Sequence, residues 1–154
     1  MKIYLVRHAE TDYDLTKKDC GEYPGPSLTK NGLKQAEEIA MILSNIKFDQ
    51  IYCSDLQRTK QTAEPLNNIT KQKINFDSRI RETSDIMNGY LHYNDMNESE
   101  TDQKDRLKSF ISDISQKYDS ILIVSHFNTI EFLSRELGGN IKKPAYASIN
   151  CIEI

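Results

Sequence analysis

Three short apolar runs in this chain each lead into side chains that can hold or attack an oxyanion. Ile3–Val6 runs into Arg7-His8, Phe48–Cys53 leads through Ser54-Asp55 to Arg58, and Ile121–Val124 runs into Ser125-His126. A guanidinium presents a planar fork of N–H donors that matches phosphate oxygens, so paired arginines predict an oxyanion site with phosphate as the leading ligand. Imidazole has an ordinary pKa of about 6.5 and is largely unprotonated at neutral pH, which leaves it able to attack phosphorus. The arginines would spread the charge of the transferring group, where most phosphoryl-transfer catalysis originates. A helix opening near Asp55 would add free backbone N–H groups on the same side. No carboxylate cluster with Mg²⁺ geometry accompanies these residues, so the site is expected to need neither metal nor other cofactor.

Each residue also has a plainer reading. The plainer reading of His8 is a loop histidine after a strand, and that of His126 a strand-end group bonded to backbone; agreement with Arg7 and the downstream segments weighs against the first. Arg58 reads as half of an exposed ion pair with Asp55. Thr11, Ser54 and Ser125 suit turn and capping roles about as well as phosphate or arginine contacts. His92, among Tyr90, Tyr93 and Asn94, reads as a surface residue, and Cys53 as a small core residue.

The elements that must position these groups follow from hydrophobic spacing. Ile3–Val6 reads as a buried strand. Thr29 is a suitable N-cap, with Leu28 and Leu33 placed for a hydrophobic staple, and Leu33, Ala36, Ala40 and Leu43 form one apolar stripe. Gly32 is a tolerable cost in the first turn. Phe48–Cys53 reads as a second strand, and a helix from about Leu56, capped by Ser54 or Asp55, is expected to end or kink at Pro65. Ile74–Phe76 is a brief strand. The stretch from Glu82 to Gln103 is polar and irregular. Leu107, Phe110, Ile111, Ile114 and Tyr118 mark another helix, and Ile121–Val124 another buried strand. A last helix from about Asn128 to Leu137 stops at Gly138-Gly139, and Ala147–Ile154 closes the chain as a strand. Alternating strands and helices predict an α/β fold, a three-layer α/β/α sandwich around a mostly parallel mixed sheet. Ligands bind outside the carboxyl ends of strands in such sheets, so two histidines and two arginines should gather at one edge.

The bulk properties fit one domain spanning 1–154. A net charge of −3 over 154 residues, with lysines scattered rather than clustered, argues against a nucleic-acid partner. Cys20, Cys53 and Cys151 are an odd set without C-x-x-C spacing, which favours a reducing compartment over a disulfide framework. No apolar run approaches the roughly 20 residues that span a bilayer, and the N-terminus does not read as a signal peptide, so no membrane partner and a cytoplasmic location are expected.

Leu5-Val6-Arg7-His8-Ala9-Glu10-Thr11 resembles the Arg-His-Gly signature of the histidine phosphatase (phosphoglycerate mutase-like) superfamily. Four more segments resemble that family in its order. They are Leu28-Thr29-Lys30-Asn31-Gly32-Leu33-Lys34-Gln35-Ala36, Ser54-Asp55-Leu56-Gln57-Arg58-Thr59-Lys60-Gln61-Thr62-Ala63, Arg79-Ile80-Arg81-Glu82 and Val124-Ser125-His126. The resemblance implies a phosphoglycerate mutase-like fold and His8 as the phosphorylated nucleophile. It implies Arg7, Arg58 and His126 as holders of the phosphoryl oxygens. Glu82 would protonate the departing oxygen and then help activate water, a role that a raised pKa would suit.

Three departures bear on specificity. Ala9 stands where the family has Gly, Asp14 where many members have Asn, and Phe127-Asn128 in place of small residues, with Phe127 shaping the pocket wall. Thr11, Asp14 and Phe127 are the expected substrate contacts. The segments 12–27 and 83–105 should overhang the pocket, with Tyr13, Tyr23, Met87, Asn88, Tyr90 and Tyr93 as further candidates. The expected activity is hydrolysis of a phosphorylated small molecule or a phosphoprotein. The alternatives are mutase-type transfer to another hydroxyl and a non-catalytic phosphate- or phosphoprotein-binding module. The lack of long insertions favours a minimal phosphatase, and oligomeric state stays open.

Overall fold

The computed structural model describes residues 1–12, 23–83, 98–115 and 117–154. Asp14, Tyr13, Cys20, Met87, Asn88, Tyr90, His92 and Tyr93 therefore lie outside the described residues. The strands are β1 (Lys2–Arg7), β2 (Gln50–Cys53), β3 (Ile74–Phe76), β4 (Ser120–Ser125) and β5 (Ile149–Glu153). They form one sheet of order β3-β2-β4-β1-β5, in which β5 alone runs antiparallel. The helices are α1 (Lys30–Leu43), α2 (Gln57–Thr70), α3 (Glu100–Ile114) and α4 (Phe127–Glu136), with a 3₁₀ turn at Ser78–Ile80.

Alternation along the central strands builds two cores, one on each face of the sheet. Ile3 and Leu5 of β1 and Ile121 and Ile123 of β4 pack with Leu107, Phe110 and Ile114 of α3 and with Ile130, Phe132 and Leu133 of α4. Val6, Leu122 and Val124 point the other way, onto Ile39, Ala40 and Leu43 of α1 and Ala63 and Leu66 of α2. Because both faces are covered, β1 and β4 read as continuous apolar runs, and each fully buried Leu or Ile stabilises by about 1.5–3 kcal/mol. The three layers expected from the sequence are present.

The local differences have physical causes. α1 turns Gly32, Ala36, Ile39, Ala40 and Leu43 inward, while Leu33, expected in the buried stripe, is 46% exposed. Gly32 is required there, because a Cβ would sit 2.1 Å from the Glu10 carbonyl oxygen. Thr29 does cap this helix, accepting from the Gly32 N–H. α2 continues through Pro65 to Thr70 instead of stopping, since Ala63 and Leu66 on either side of the proline are buried and hold it down. α2 has no side-chain cap of its own; Leu56 is its N-cap, and Ser54 and Asp55 are engaged elsewhere. α4 opens one residue early, at Phe127 directly after His126, and Gly138 at φ +81 ends it as the glycine pair implied.

The register sets the site. Arg7 of β1 pairs with Ser125 of β4, and Val124 with Cys53 of β2, so three strands finish side by side.

Candidate active site

The hydrogen-bond ladder runs one residue past the strand ends before the chain turns away. The His8 N–H donates to the Ser125 carbonyl at 3.0 Å, and the Ser54 N–H to the Val124 carbonyl at 3.0 Å. Beyond His8 the buried loop has no strand to pair with, so side chains satisfy its backbone. Thr62 Oγ1 accepts from the Ala9 N–H at 3.0 Å and donates to the Arg58 carbonyl at 2.7 Å. Gln35 Oε1 accepts from the Glu10 N–H at 2.9 Å, and Gln61 Oε1 from the Leu28 N–H at 2.8 Å. The glutamines and threonine of the two helix motifs are thus the mould for the loop that carries His8. Ala9 fits this mould; its methyl is buried against Leu28 and Ala36.

His8 is buried, and its Nδ1 lies 2.8 Å from the Ala9 carbonyl oxygen. A carbonyl only accepts, so Nδ1 carries the ring proton and the Nε2 lone pair is left for chemistry. Burial first, then the charge of Arg58, holds the His8 pKa well below the usual imidazole value. The His126 ring lies 5.3 Å from it, centroid to centroid. His126 Nε2 is 2.8 Å from Ser54 Oγ, which itself accepts from the Leu56 N–H at 3.5 Å. With the Ser54 hydroxyl donating to Nε2, the proton of a neutral His126 sits on Nδ1. That atom is buried without a hydrogen-bond partner among the described residues. Burial and the Arg58 charge depress the His126 pKa as well. Both shifts favour the neutral ring.

Arg58 projects from the first turn of α2, is 1% exposed, and is the strongest charge acting on His8, His126 and Glu82. The plainer reading of an exposed Asp55 pair is overturned: Asp55 takes Arg81 instead, Nε to Oδ1 at 2.6 Å and Nη2 to Oδ2 at 2.5 Å. Arg7 donates from Nη1 to the Pro144 carbonyl at 2.9 Å, while its buried Nε has no acceptor among the described residues. Buried donors left in this way cost free energy unless an anion arrives to accept from them.

Glu82 reaches the cluster from an irregular segment after the 3₁₀ turn. Its Oε1 accepts from the backbone N–H groups of Thr83 (3.0 Å), Asn128 (3.2 Å) and Thr129 (3.3 Å), the last two at the N-terminus of α4. Burial raises the Glu82 pKa despite the opposing Arg58 charge and these bonds. With Oε1 occupied as an acceptor, a proton belongs on Oε2. The segment is pinned from a distance. Arg106 of α3 donates to the carbonyls of Arg79 (2.6 Å), Arg81 (3.0 Å) and Glu82 (2.9 Å) and pairs with Glu98 through Nε at 3.0 Å. Ser125 Oγ donates to the Ile80 carbonyl and Thr129 Oγ1 to the Arg81 carbonyl, both at 2.8 Å.

His8, Arg7, Arg58, His126 and Glu82, the five main residues expected from the sequence, are brought together at the carboxyl edge of the sheet. Phe127 joins them, its ring 5.0 Å from the Arg7 guanidinium carbon. Thr11 is buried in a bridge to Leu28. Tyr23 lies at the rim, 5.4 Å from the Arg81 guanidinium and 5.5 Å from Lys60 Nζ. Two contributors had no sequence signal, Arg106 and Tyr146; the Tyr146 ring lies 3.9 Å from the Arg7 guanidinium. Gln35, Gln61 and Thr62 stood inside the motifs, but only the fold shows what they hold.

The chain spans 80% of the Escherichia coli K12 adenosylcobalamin/alpha-ribazole phosphatase, to which it is 29% identical over 163 residues covering 90% of the chain. It is 40% identical to Xenopus tropicalis fructose-2,6-bisphosphatase TIGAR over 82 residues, which is 51% of this chain but only 30% of that protein. The solved alpha-ribazole phosphatase of Shigella flexneri superposes with a TM-score of 0.84 at 24% identity, covering 100% of this chain and 91% of the other, a likeness of fold. Residues 3–90, which carry His8, Arg58 and Glu82, match the family model of the histidine phosphatase superfamily, branch 1. With the motifs, the sheet order and the paired histidines in agreement, the chain belongs to the histidine phosphatase superfamily.

Proposed function

We propose that the protein hydrolyses small organic phosphomonoesters in two steps through a phosphohistidine on His8. The observation that carries this reading is the Nδ1 contact to the Ala9 carbonyl, which aims an unprotonated Nε2 away from the backbone. In the first step the Nε2 lone pair forms a bond to phosphorus as the ester P–O bond breaks. The Glu82 proton passes to the departing alkoxide oxygen. In the second step Glu82, now a carboxylate, takes a proton from water as the water oxygen attacks phosphorus. The P–N bond breaks, its electron pair returns to Nε2, and inorganic phosphate leaves. Arg7 and Arg58 and the Nδ1–H of His126 hold the three non-bridging oxygens in both steps, so the charge they carry is met by fixed donors.

The raised pKa of Glu82 supports its acid role, and the depressed pKa of His8 keeps the nucleophile unprotonated. The name of the Escherichia coli relative supports a small phosphomonoester over a phosphoprotein. Phe127 at the first turn of α4 would wall the leaving-group side, with Thr11 shaping the loop beneath it. The test is a panel of alpha-ribazole phosphate, phosphoserine, 3-phosphoglycerate and a phosphopeptide, assayed for phosphate release by the wild type and His8→Ala. Phosphate freed from a small ester by wild type only is expected. An isomerised phosphoglycerate without free phosphate would instead mark a mutase, and anion binding without turnover a binding module.

A further inference from the structure

We infer that Tyr146 is a positioning residue for Arg7, a role that rests on Arg7 holding a phosphoryl oxygen as proposed above. Tyr146 lies in the loop between α4 and β5, remote in sequence from every motif of the site. The Arg7 guanidinium carbon sits 3.9 Å from the centroid of its ring, and 5.0 Å from that of Phe127. The Tyr146 ring also stands 5.6 Å from that of His8. A planar guanidinium packs favourably against an aromatic face, and more so where water is excluded.

The same loop fixes the other degree of freedom. Stacking on Tyr146 resists tipping of the guanidinium out of its plane. The bond from Nη1 to the Pro144 carbonyl at 2.9 Å resists rotation within the plane. What is left is the buried Nε edge, which has no acceptor among the described residues and is free to meet an anion. The loop itself is tied to the nucleophile: the Ala147 N–H donates to the His8 carbonyl at 3.2 Å, and the Arg7 N–H to the Ser148 carbonyl at 3.3 Å. Ala147 adopts φ +54, a left-handed conformation that disfavours a residue with a β-carbon. Such strain persists where the surroundings over-determine the backbone, and here it turns the chain so that Tyr146 faces Arg7. Pro144 and Tyr146 together act as a bracket for one phosphate-binding fork.

The role depends on the ring and not on the hydroxyl, which makes it separable from a general packing effect. Calorimetric titration of inorganic phosphate and of orthovanadate would be compared for wild type, Tyr146→Phe, Tyr146→Leu and Tyr146→Met, and for Tyr146→Leu placed on Arg7→Lys. Phe should bind within about two-fold of wild type, while Leu and Met, which lack a ring face, should bind roughly five- to thirty-fold more weakly. On Arg7→Lys, which has already lost the planar stack, Tyr146→Leu should add less than about two-fold. Three results overturn the role: Leu and Met binding like wild type, Phe as weak as Leu, or the same Leu loss in both backgrounds. Wild type that binds neither anion sinks the phosphoryl-binding reading along with it. Wild-type binding with an unaffected Leu variant sinks Tyr146 alone.

Discussion

The two sides of the site are built in different ways. On the imidazole side, Arg7, His8 and His126 stand at the ends of β1 and β4, and Arg58 in the first turn of α2, so backbone pairing carries each to its place. On the acid side, Glu82 sits on an irregular segment held by side chains from other elements: Arg106 of α3, Ser125 of β4 and Thr129 of α4. The electrostatics diverge as well. Burial drives the imidazoles toward neutrality by lowering their pKa values, and the carboxyl toward neutrality by raising its own. The same burial thus pushes His8 toward its unprotonated form and Glu82 toward its protonated form, the arrangement that the proposed nucleophile and proton donor need. His8 is held rigidly by topology, whereas Glu82 is only as well placed as its distant ties.

That contrast can be broken by substitution. Arg58→Gln removes a buried charge from the imidazole side and should cut turnover by about 10²–10³-fold, whatever the leaving group. Equal steady-state losses with an aryl and an alkyl phosphate would bear this out. Glu82→Gln should separate the two ester classes: a loss of about 10²-fold or more with alkyl phosphates, but only a few-fold for phosphoenzyme formation from an activated aryl phosphate. A uniform loss would remove Glu82 from the acid role. Arg106→Lys keeps a charge but gives up the planar fork on three carbonyls. It should lower alkyl-phosphate turnover by roughly ten-fold and cost about 1–3 kcal/mol in urea unfolding, with phosphoenzyme formation from an activated aryl phosphate nearly unchanged. If that phosphoenzyme formation slowed as far, the two sides would not be independent.

Much of the imidazole side was legible in the sequence, because an apolar run that stops at Arg-His or Ser-His already says where the strand ends. Glu82 was legible only by resemblance. A glutamate on a polar stretch has no periodicity to place it, and its position depends on Arg106, two dozen residues away in the chain. Leu33 misled for a related reason: spacing alone cannot tell which edge of a stripe faces inward. The Glu10 backbone, pressed against Gly32, decides it. The plainer reading of an Asp55–Arg58 pair fails because Arg58 is drawn inside, leaving Arg81 to pair with Asp55. Tyr146 could not be found at all until β5 had been laid beside β1.

The smallest effect is on stability against pH. His8 and His126 have folded-state pKa values below those of the unfolded chain, so acid protonates the unfolded chain first. Their contribution is complete above an ordinary imidazole pKa of about 6.5 and is lost as pH falls from there toward the folded values. Glu82 has the opposite sign: its raised folded pKa favours the fold below the ordinary carboxyl range, and that gain fades as pH rises through the folded value. Melting temperature should therefore drop as pH falls from about 6.5, with a shallower slope in His8→Gln. An unchanged slope would mean that this imidazole is not buried neutral.

The most direct measurement is to trap the intermediate. Glu82→Gln, mixed rapidly with an aryl phosphate and quenched in alkali, where phosphohistidine survives, should gain one phosphoryl group per chain. Peptide mapping should place it on His8, and His8→Ala should gain none. A chain that releases phosphate from the ester yet never carries phosphorus, or carries it on another residue, contradicts the proposed chemistry.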